Sequence, residues 1–229
     1  MDMVAWIFQV RTAIGSRVPV VTGAVIVAAL IAWGTPLLPD LLVYDRSAIL
    51  TGEFWRLVTG NWVHLSPSHL TYNLVAVGIA GWLIESRGFQ RFGLMCLLSA
   101  TGIGVSLLAF ESGIQFYGGL SGVATAVVVF LVLHGLRQGG WQRVLFAAVL
   151  VAVGMKLAWE SWAGTSLFVD GTITGTRVVP LSHSVGALVA FGVFVAGERS
   201  DWLKTRLEYR LQAETASNVP KPTLESFSP

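Results

Sequence analysis

Polar side chains that could carry out chemistry are few in this sequence, and they interrupt long apolar runs. The residues of this kind are His69, Asn73, Ser121, His134, Lys156, Glu160 and His183. Ionisable residues inside a bilayer are costly and therefore mark candidate functional sites. A serine beside a histidine can act as a nucleophile whose proton the histidine removes. The sequence therefore offers an acyl-transfer pair, with Ser121 as candidate nucleophile and His183 as candidate base.

Glycines surround Ser121, because Gly118 and Gly119 precede it and Gly122 follows it. They permit a tight turn and close approach of a substrate, and a helix start offers free backbone N–H groups to an oxyanion. Val123 occupies the last position of the pattern, which therefore differs from the Gly-x-Ser-x-Gly elbow of soluble hydrolases. Without partner residues, such a pattern is more typical of close helix packing.

The residues that could assist the pair also follow helical spacing. Gly186 and Ala190 share a face with His183, so a close helix approach could bring its ring to Ser121; a structural histidine bonded to a carbonyl is the alternative. His69 and Asn73 are four residues apart, and both can donate to an oxyanion. Their alternative is a polar pair capping a helix.

Lys156 and Glu160 are likewise four residues apart, near the end of an apolar run. A salt bridge or an interface anchor is the simplest interpretation of this pair. We assign His134 no role, since it lies away from the other polar residues.

The composition indicates a membrane protein. The chain has 54% hydrophobic and 12% charged residues and a mean hydropathy of +0.67, whereas soluble domains carry about 25% charged residues. The net charge of +2 is too small to suggest nucleic acid. The single cysteine, Cys96, cannot form an internal disulfide. We expect neither a metal nor a cofactor, and we expect the lipid bilayer as a partner.

Charges and turn residues delimit six predicted transmembrane helices, which define an all-α polytopic fold. Their approximate bounds are 18–38, 67–84, 92–110, 118–136, 144–162 and 181–197. Arg46, Arg56 and Arg177 fall on one side, Lys156 lies in the fifth span, and every other Lys and Arg falls on the opposite side. By the positive-inside rule, both termini are cytoplasmic, and segments 39–66, 111–117 and 163–180 face outward.

This orientation places the candidate residues at one depth. The second, fourth and sixth spans enter from outside, and His69, Asn73, Ser121 and His183 lie within their first turns. At about 1.5 Å per residue, the four side chains lie at a similar depth and can converge from three helices.

The remaining segments complete the predicted organisation. Residues 1–17 form a cytoplasmic segment, 18–197 the six-helix domain, and 198–229 a polar cytoplasmic tail. This tail starts as a charged helix from Asp201 to Arg210 and is disordered from about Glu214. Loop 39–66 carries Trp55 and lies in the membrane interface, and loop 163–180 is a candidate extended flap.

Four blocks of this sequence resemble the rhomboid intramembrane serine proteases, in family order and over roughly 50–197. They are Glu53-Phe-Trp-Arg56, His69-Leu-Thr-Tyr-Asn73, Gly119-Leu-Ser-Gly122 and His183-Ser-Val-Gly186. The resemblance implies a six-helix core with a water-filled cavity open to the outside.

The resemblance also implies roles for single residues. It implies a Ser121–His183 dyad without a carboxylate, and an oxyanion site formed by His69, Asn73 and the Ser121 N–H. It makes Trp55 and Arg56 structural. One departure is Thr125, because many bacterial members have a tyrosine there that packs on the catalytic histidine.

Looser blocks are similar to the rhombosortase subgroup from Gram-negative bacteria. They are Val43-Tyr-Asp-Arg46, Trp55-Arg-Leu-Val-Thr-Gly60 and Lys156-Leu-Ala-Trp-Glu160. This resemblance implies an inner-membrane enzyme whose site opens to the periplasm. Its substrates would be proteins exported by type II secretion that carry C-terminal Gly-Gly sorting tails. In that case Lys156 and Glu160 could recognise the tail or support the outer cavity.

Three alternatives remain at this stage. One is a general rhomboid protease with other single-span substrates, and another is an inactive rhomboid-fold protein that binds membrane clients. The third is a small transporter or channel, but clustering of polar groups at one depth, rather than along a path, disfavours it.

Overall fold

The computed structural model describes residues 18–164 and 179–217, with side chains described up to Glu208. These residues are mostly helical. The helices are α1 (Val20–Gly34), α2 (Leu38–Leu42), α3 (Arg46–Leu50), α4 (Arg56–Thr59), α5 (Pro67–Ser86), α6 (Phe92–Phe110), α7 (Ser121–Gly135), α8 (Trp141–Ala163) and α9 (Pro180–Ser217). Two short strands, β1 (Tyr44–Asp45) and β2 (Phe116–Tyr117), form an antiparallel pair.

Each predicted span overlaps one of the longer helices, α1 and α5 to α9. Within the described residues, α6, α8 and the Pro180–Glu208 part of α9 are long and apolar enough to cross a membrane, and α1 and α7 are shorter apolar helices. Helices of this length and composition indicate an integral membrane protein.

One hydroxyl and one carboxylate side chain fix the starts of α5 and α1. Ser66 caps α5, its Oγ accepting from the His69 N–H at 3.2 Å. Glu85, near the end of α5, accepts from the N–H groups of Val21 (2.9 Å) and Thr22 (2.8 Å). These N–H groups have no partner within α1, so Glu85 caps α1 and ties it to α5.

The first loop, between α1 and α5, is folded around the buried guanidinium of Arg56. Its Nη1 donates to the carbonyl oxygens of Asp40 (2.8 Å) and Val43 (2.9 Å), and its Nε donates to Glu53 at 2.6 Å. Trp55 is half-exposed, and its Nε1 donates to the Leu41 carbonyl at 3.2 Å. A buried charge is tolerated only when it is paired and hydrogen-bonded, so Arg56 holds the short elements of this loop together.

The same loop holds the segment that leads into α7. Tyr44 of β1 pairs with Tyr117 of β2, and the Gly119 N–H donates to the Gly60 carbonyl at 3.3 Å. Tyr117 is buried, and its hydroxyl donates to the Gly119 carbonyl at 3.1 Å. Burial raises the pKa of Tyr117 to about 12, so this hydroxyl stays protonated and can donate.

Helix α7 is the central helix of this part of the chain, since it packs against α5, α6 and α8. Most of its residues from Gly122 to Val132 are buried. Helix α8 is the opposite case, because Glu160 is its only buried residue. Many of its other side chains are large, apolar and exposed, among them Val144, Val151, Met155 and Trp162, as suits a helix in contact with lipid.

The described residues up to Phe194 form one compact unit, and those from Val195 onward form another. In the second unit, α9 continues to Ser217, a few residues beyond the point where we expected disorder to begin. The Arg206 guanidinium there lies over the Trp202 ring at 4.7 Å. The candidate flap lies largely outside the described residues, as do residues 1–17 and 218–229.

Candidate active site

Ser121 is the first residue of α7 and is partly exposed. The chain reaches it through Gly119, which has a φ of +149°, a conformation open to glycine but rarely to other residues. A Cβ at Gly119 would lie 2.6 Å from His69 Cε1. The glycine therefore permits both the turn before Ser121 and the approach of the His69 ring.

His183 lies in the first turn of α9, buried, with its Nε2 2.9 Å from Ser121 Oγ. Two glycines make this distance possible. A Cβ on Gly186 would collide with the Gly122 carbonyl oxygen, and a Cβ on Gly122 would lie 2.8 Å from the Ser182 carbonyl oxygen. Ala190, on the same face, is fully buried. The small residues thus let α9 approach α7 closely enough for a serine–histidine hydrogen bond.

A carboxylate contacts the other nitrogen of His183, so the expectation of a dyad without a carboxylate is wrong. Glu160 Oε2 lies 2.7 Å from His183 Nδ1 and also accepts from Lys156 Nζ at 2.7 Å. The expected Lys156–Glu160 salt bridge is present. Spacing along α8 predicts that pair but not the contact with α9, which depends on the inward rotation of α8.

Thr125, at the position where the family resemblance leads us to expect a tyrosine, lies one turn after Ser121. Its Oγ1 donates to the Ser121 carbonyl at 2.9 Å, within α7. The side chain that contacts the His183 ring at Nδ1 is instead Glu160 from α8, at 2.7 Å.

His64, which sequence analysis missed, links the candidate oxyanion residues. Its Nδ1 lies 3.0 Å from the Trp62 carbonyl oxygen. A carbonyl can only accept, so Nδ1 carries the proton and Nε2 accepts. Nε2 receives the Asn73 Nδ2–H at 3.2 Å and, more weakly, the Leu120 N–H at 3.4 Å. The sequence pattern does not point to His64, because it lies in the turn before α5 and outside the predicted membrane spans.

The electrostatic state of His64 agrees with this hydrogen bonding. Burial lowers its pKa to about 4, and the nearby His69 adds to that shift; the two rings meet edge to face with centroids 5.3 Å apart. His64 is therefore neutral at physiological pH and holds the Asn73 amide in one orientation. One Asn73 N–H is engaged by His64, which leaves the second for another acceptor.

His134 lies apart from these residues, as expected. Its ring is surrounded by Phe89, Phe130 and Phe194, with centroids at 4.2, 4.5 and 4.9 Å, and its Nδ1 lies 2.9 Å from the Phe130 carbonyl oxygen. These contacts are those of a packed structural histidine.

Comparisons with known proteins agree with this arrangement. Residues 51–197, more than half of the chain, match the model of the Rhomboid domain. The chain is 30% identical over 144 residues to proteins named rhomboid protease GlpG from Salmonella newport, Salmonella typhi and Salmonella typhimurium. Each alignment covers 60% of this chain and 50% of the relative, so the chain spans about half the length of the curated relatives it matches. The chain belongs to the rhomboid family.

Proposed function

We propose that this protein is an intramembrane serine endopeptidase in which Ser121 is the nucleophile and His183 the general base. The observation that carries the proposal is the 2.9 Å contact between Ser121 Oγ and His183 Nε2 at the start of α7. The family named in the comparisons and the names of the GlpG relatives support the same reaction.

The reaction follows from the hydrogen bonding of His183. Glu160 Oε2 lies 2.7 Å from Nδ1, and a carboxylate can only accept, so Nδ1 donates to it. Nε2 is therefore the acceptor and takes the Ser121 proton as Oγ attacks the scissile carbonyl. Protonated Nε2 then gives that proton to the leaving amine, which leaves an acyl group on Ser121. Water attacks this ester, and His183 again takes and returns the proton.

We place the oxyanion of the tetrahedral intermediate near Asn73, His69 and the Ser121 backbone N–H. The Ser121 N–H belongs to the first turn of α7, whose N–H groups have no acceptor within the helix. Support for Asn73 comes from its second N–H. Support for His69 comes from the position of its ring close to Gly119, where an added Cβ would lie 2.6 Å from Cε1. Donors held in place before the reaction stabilise developing charge without reorganisation.

We further propose a bacterial inner-membrane protein with a six-helix rhomboid domain over residues 18–197. In this proposal the site opens to the periplasm, and residues 1–17 and 198–229 are cytoplasmic. The asymmetric distribution of Lys and Arg supports this orientation.

For substrates we propose exported proteins whose C-terminal tails carry Gly-Gly, a hydrophobic helix and a basic end. The rhombosortase-like blocks around Tyr44, Trp55 and Lys156 support this choice, and cleavage of other single-span proteins is the competing possibility.

Co-expression with a reporter bearing a Gly-Gly tail, followed by mass spectrometry of its new C-terminus, tests the substrate. We expect a truncated reporter with the native enzyme and an intact reporter with Ser121→Ala. A reporter in which Gly-Gly is replaced by Leu-Leu is the matched control and should stay intact. Equal cleavage of both reporters would reject the Gly-Gly proposal and favour the general protease. A new C-terminus joined to an amine acceptor through an amide bond, instead of a free carboxylate, would show transfer rather than hydrolysis.

A further inference from the structure

Four side chains from three helices form a continuous chain of contacts that ends at the nucleophile. Lys156 Nζ is 2.7 Å from Glu160 Oε2, Glu160 Oε2 is 2.7 Å from His183 Nδ1, and His183 Nε2 is 2.9 Å from Ser121 Oγ. Lys156 and Glu160 come from α8, His183 from α9 and Ser121 from α7. A mechanism that uses only Ser121 and His183 gives no role to the contacts made by Glu160 and Lys156.

The burial of Glu160 is selective. Its side chain is 1% exposed, and no other residue of α8 is buried. A lipid-facing helix gains little packing energy from burying one side chain. When that side chain is a carboxylate, its burial also costs the desolvation of a charge. Lys156, with a side chain 20% exposed, offsets that charge from the same helix face. The arrangement is therefore better explained by what Glu160 does to His183 than by the stability of α8.

The distances decide which nitrogen of His183 holds the proton. Lys156 Nζ is 3.4 Å from Nδ1, whereas Glu160 Oε2 is 2.7 Å from it. A carboxylate at 2.7 Å requires a proton on Nδ1, because two acceptors would repel each other at that distance. Lys156 and His183 thus both donate to the same oxygen, and Nε2 is left as the acceptor that a general base needs.

We propose that Glu160 is a positioning residue that sets the tautomer of His183 and stabilises its imidazolium, and that Lys156 moderates this effect. The inference rests on the proposed function of the Ser121–His183 pair. Glu160 corresponds in its role to the aspartate of a serine–histidine–aspartate triad. Since Glu160 is buried against His183, it is not available to bind a substrate tail directly.

Opposite charges on Lys156 and Glu160 predict opposite effects on the acid limb of the pH–rate profile. Among the residues that the structure describes, the other ionisable groups near the Ser121–His183 pair are His69 of α5 and Tyr117, and neither changes in these variants. Removing the Glu160 charge destabilises the imidazolium, so the acid limb moves to lower pH. Removing the Lys156 charge stabilises the imidazolium, so the acid limb moves to higher pH.

The test measures the rate of Ser121 labelling by a fluorophosphonate across pH 5–9 in the full-length protein in detergent micelles. For Glu160→Gln we expect a labelling rate at neutral pH about tenfold or more below that of the native protein, within the loss of ~10⁴ known for the corresponding aspartate-to-asparagine change. The acid limb should move to lower pH in this variant and to higher pH in Lys156→Met. Glu160→Asp keeps a carboxylate and should recover part of the rate, while Met155→Leu on the exposed face of α8 should match the native profile.

Opposite displacements of the two acid limbs would support the inference. Native rates and profiles in Glu160→Gln, or displacements in the same direction, would overturn it. Should Glu160→Gln fail to fold, the direction of the Lys156→Met displacement decides. If Ser121→Ala still labels at the native rate, the proposed function fails; if it does not label while Glu160→Gln labels normally, only the role of Glu160 fails.

Discussion

At the scale of single residues, the candidate oxyanion site depends on the side-chain amide of Asn73, which a hydrogen bond to His64 holds in one orientation. Asn73 is buried at the second turn of α5 and is held by the neutral His64 ring. His64 in turn is anchored by the Trp62 carbonyl of the first loop. In the proposed reaction Asn73 would donate to the oxyanion, whereas His64 would act only by positioning Asn73.

We expect Asn73→Ala to lower kcat while KM changes little, because an oxyanion donor acts mainly in the transition state. Loss of one such donor costs on the order of 10²–10³ in other serine proteases. Cleavage kinetics on the Gly-Gly reporter measure the effect. Val75→Ala, on the exposed face of α5, is the control and should retain native kinetics; native kinetics in Asn73→Ala would remove Asn73 from the site.

His64 predicts a stability loss at acid pH. Its pKa is about 4 in the folded protein and about 6.5 in an unfolded chain. Between these values the unfolded chain binds more protons, so stability is retained above pH ~6.5 and lost as the pH falls toward about 4. The thermal midpoint should therefore fall more between pH 7.5 and 4.5 in the native protein than in His64→Gln. Equal falls would mean that His64 does not titrate as described.

At the scale of elements, the reactive geometry depends on how closely α9 packs on α7. Sequence spacing predicts that the small residues of α9 share one face of that helix. It also predicts that the polar residues of α5 share one face, as do those of α8. It does not predict the rotation of α8, because one buried residue in a lipid-facing helix leaves no periodic signal. For the same reason, the role of Glu160 becomes visible only once the helices are packed.

We expect Gly186→Ala to reduce activity on the order of 10²-fold, because a displacement of about 1 Å between catalytic groups costs that much. The added Cβ would press on the Gly122 carbonyl and separate His183 from Ser121. Gly192→Ala is the matched control on α9, since a Cβ there has open space around it. Fluorophosphonate labelling of both variants is the measurement, and equal labelling would contradict the packing argument.

At the scale of the whole molecule, cleavage of exported proteins requires the start of α7 to face the periplasm. Gly113 precedes α7, Gly139 follows it, and a Cβ at either position meets no atom within 4 Å. The native Cys96 is buried, so it should not compete for a thiol reagent. A membrane-impermeant maleimide applied to intact spheroplasts should label Gly113→Cys but not Gly139→Cys. The reverse pattern would invert the topology.

Much of the fold follows from the sequence because apolar runs and turn residues mark α1 and α5 to α9. The folded first loop does not, since its order comes from Arg56 contacting carbonyls more than ten residues away. His64 was missed for a related reason: it lies in a turn, and only its contacts with Asn73 and Leu120 give it a role. Ser121, His183, His69 and Asn73 could be proposed from the sequence because charge and spacing predict that all four lie at a similar depth.

Labelling by a fluorophosphonate, with mass spectrometry of the modified peptide, identifies the nucleophile. We expect a single adduct on Ser121 in the native protein, no adduct in Ser121→Ala, and strongly reduced labelling in His183→Asn. Ser112→Ala, in the exposed loop before α7, should label like the native protein. Equal labelling of Ser121→Ala, or an adduct on another residue, would contradict the assignment of Ser121 as the nucleophile.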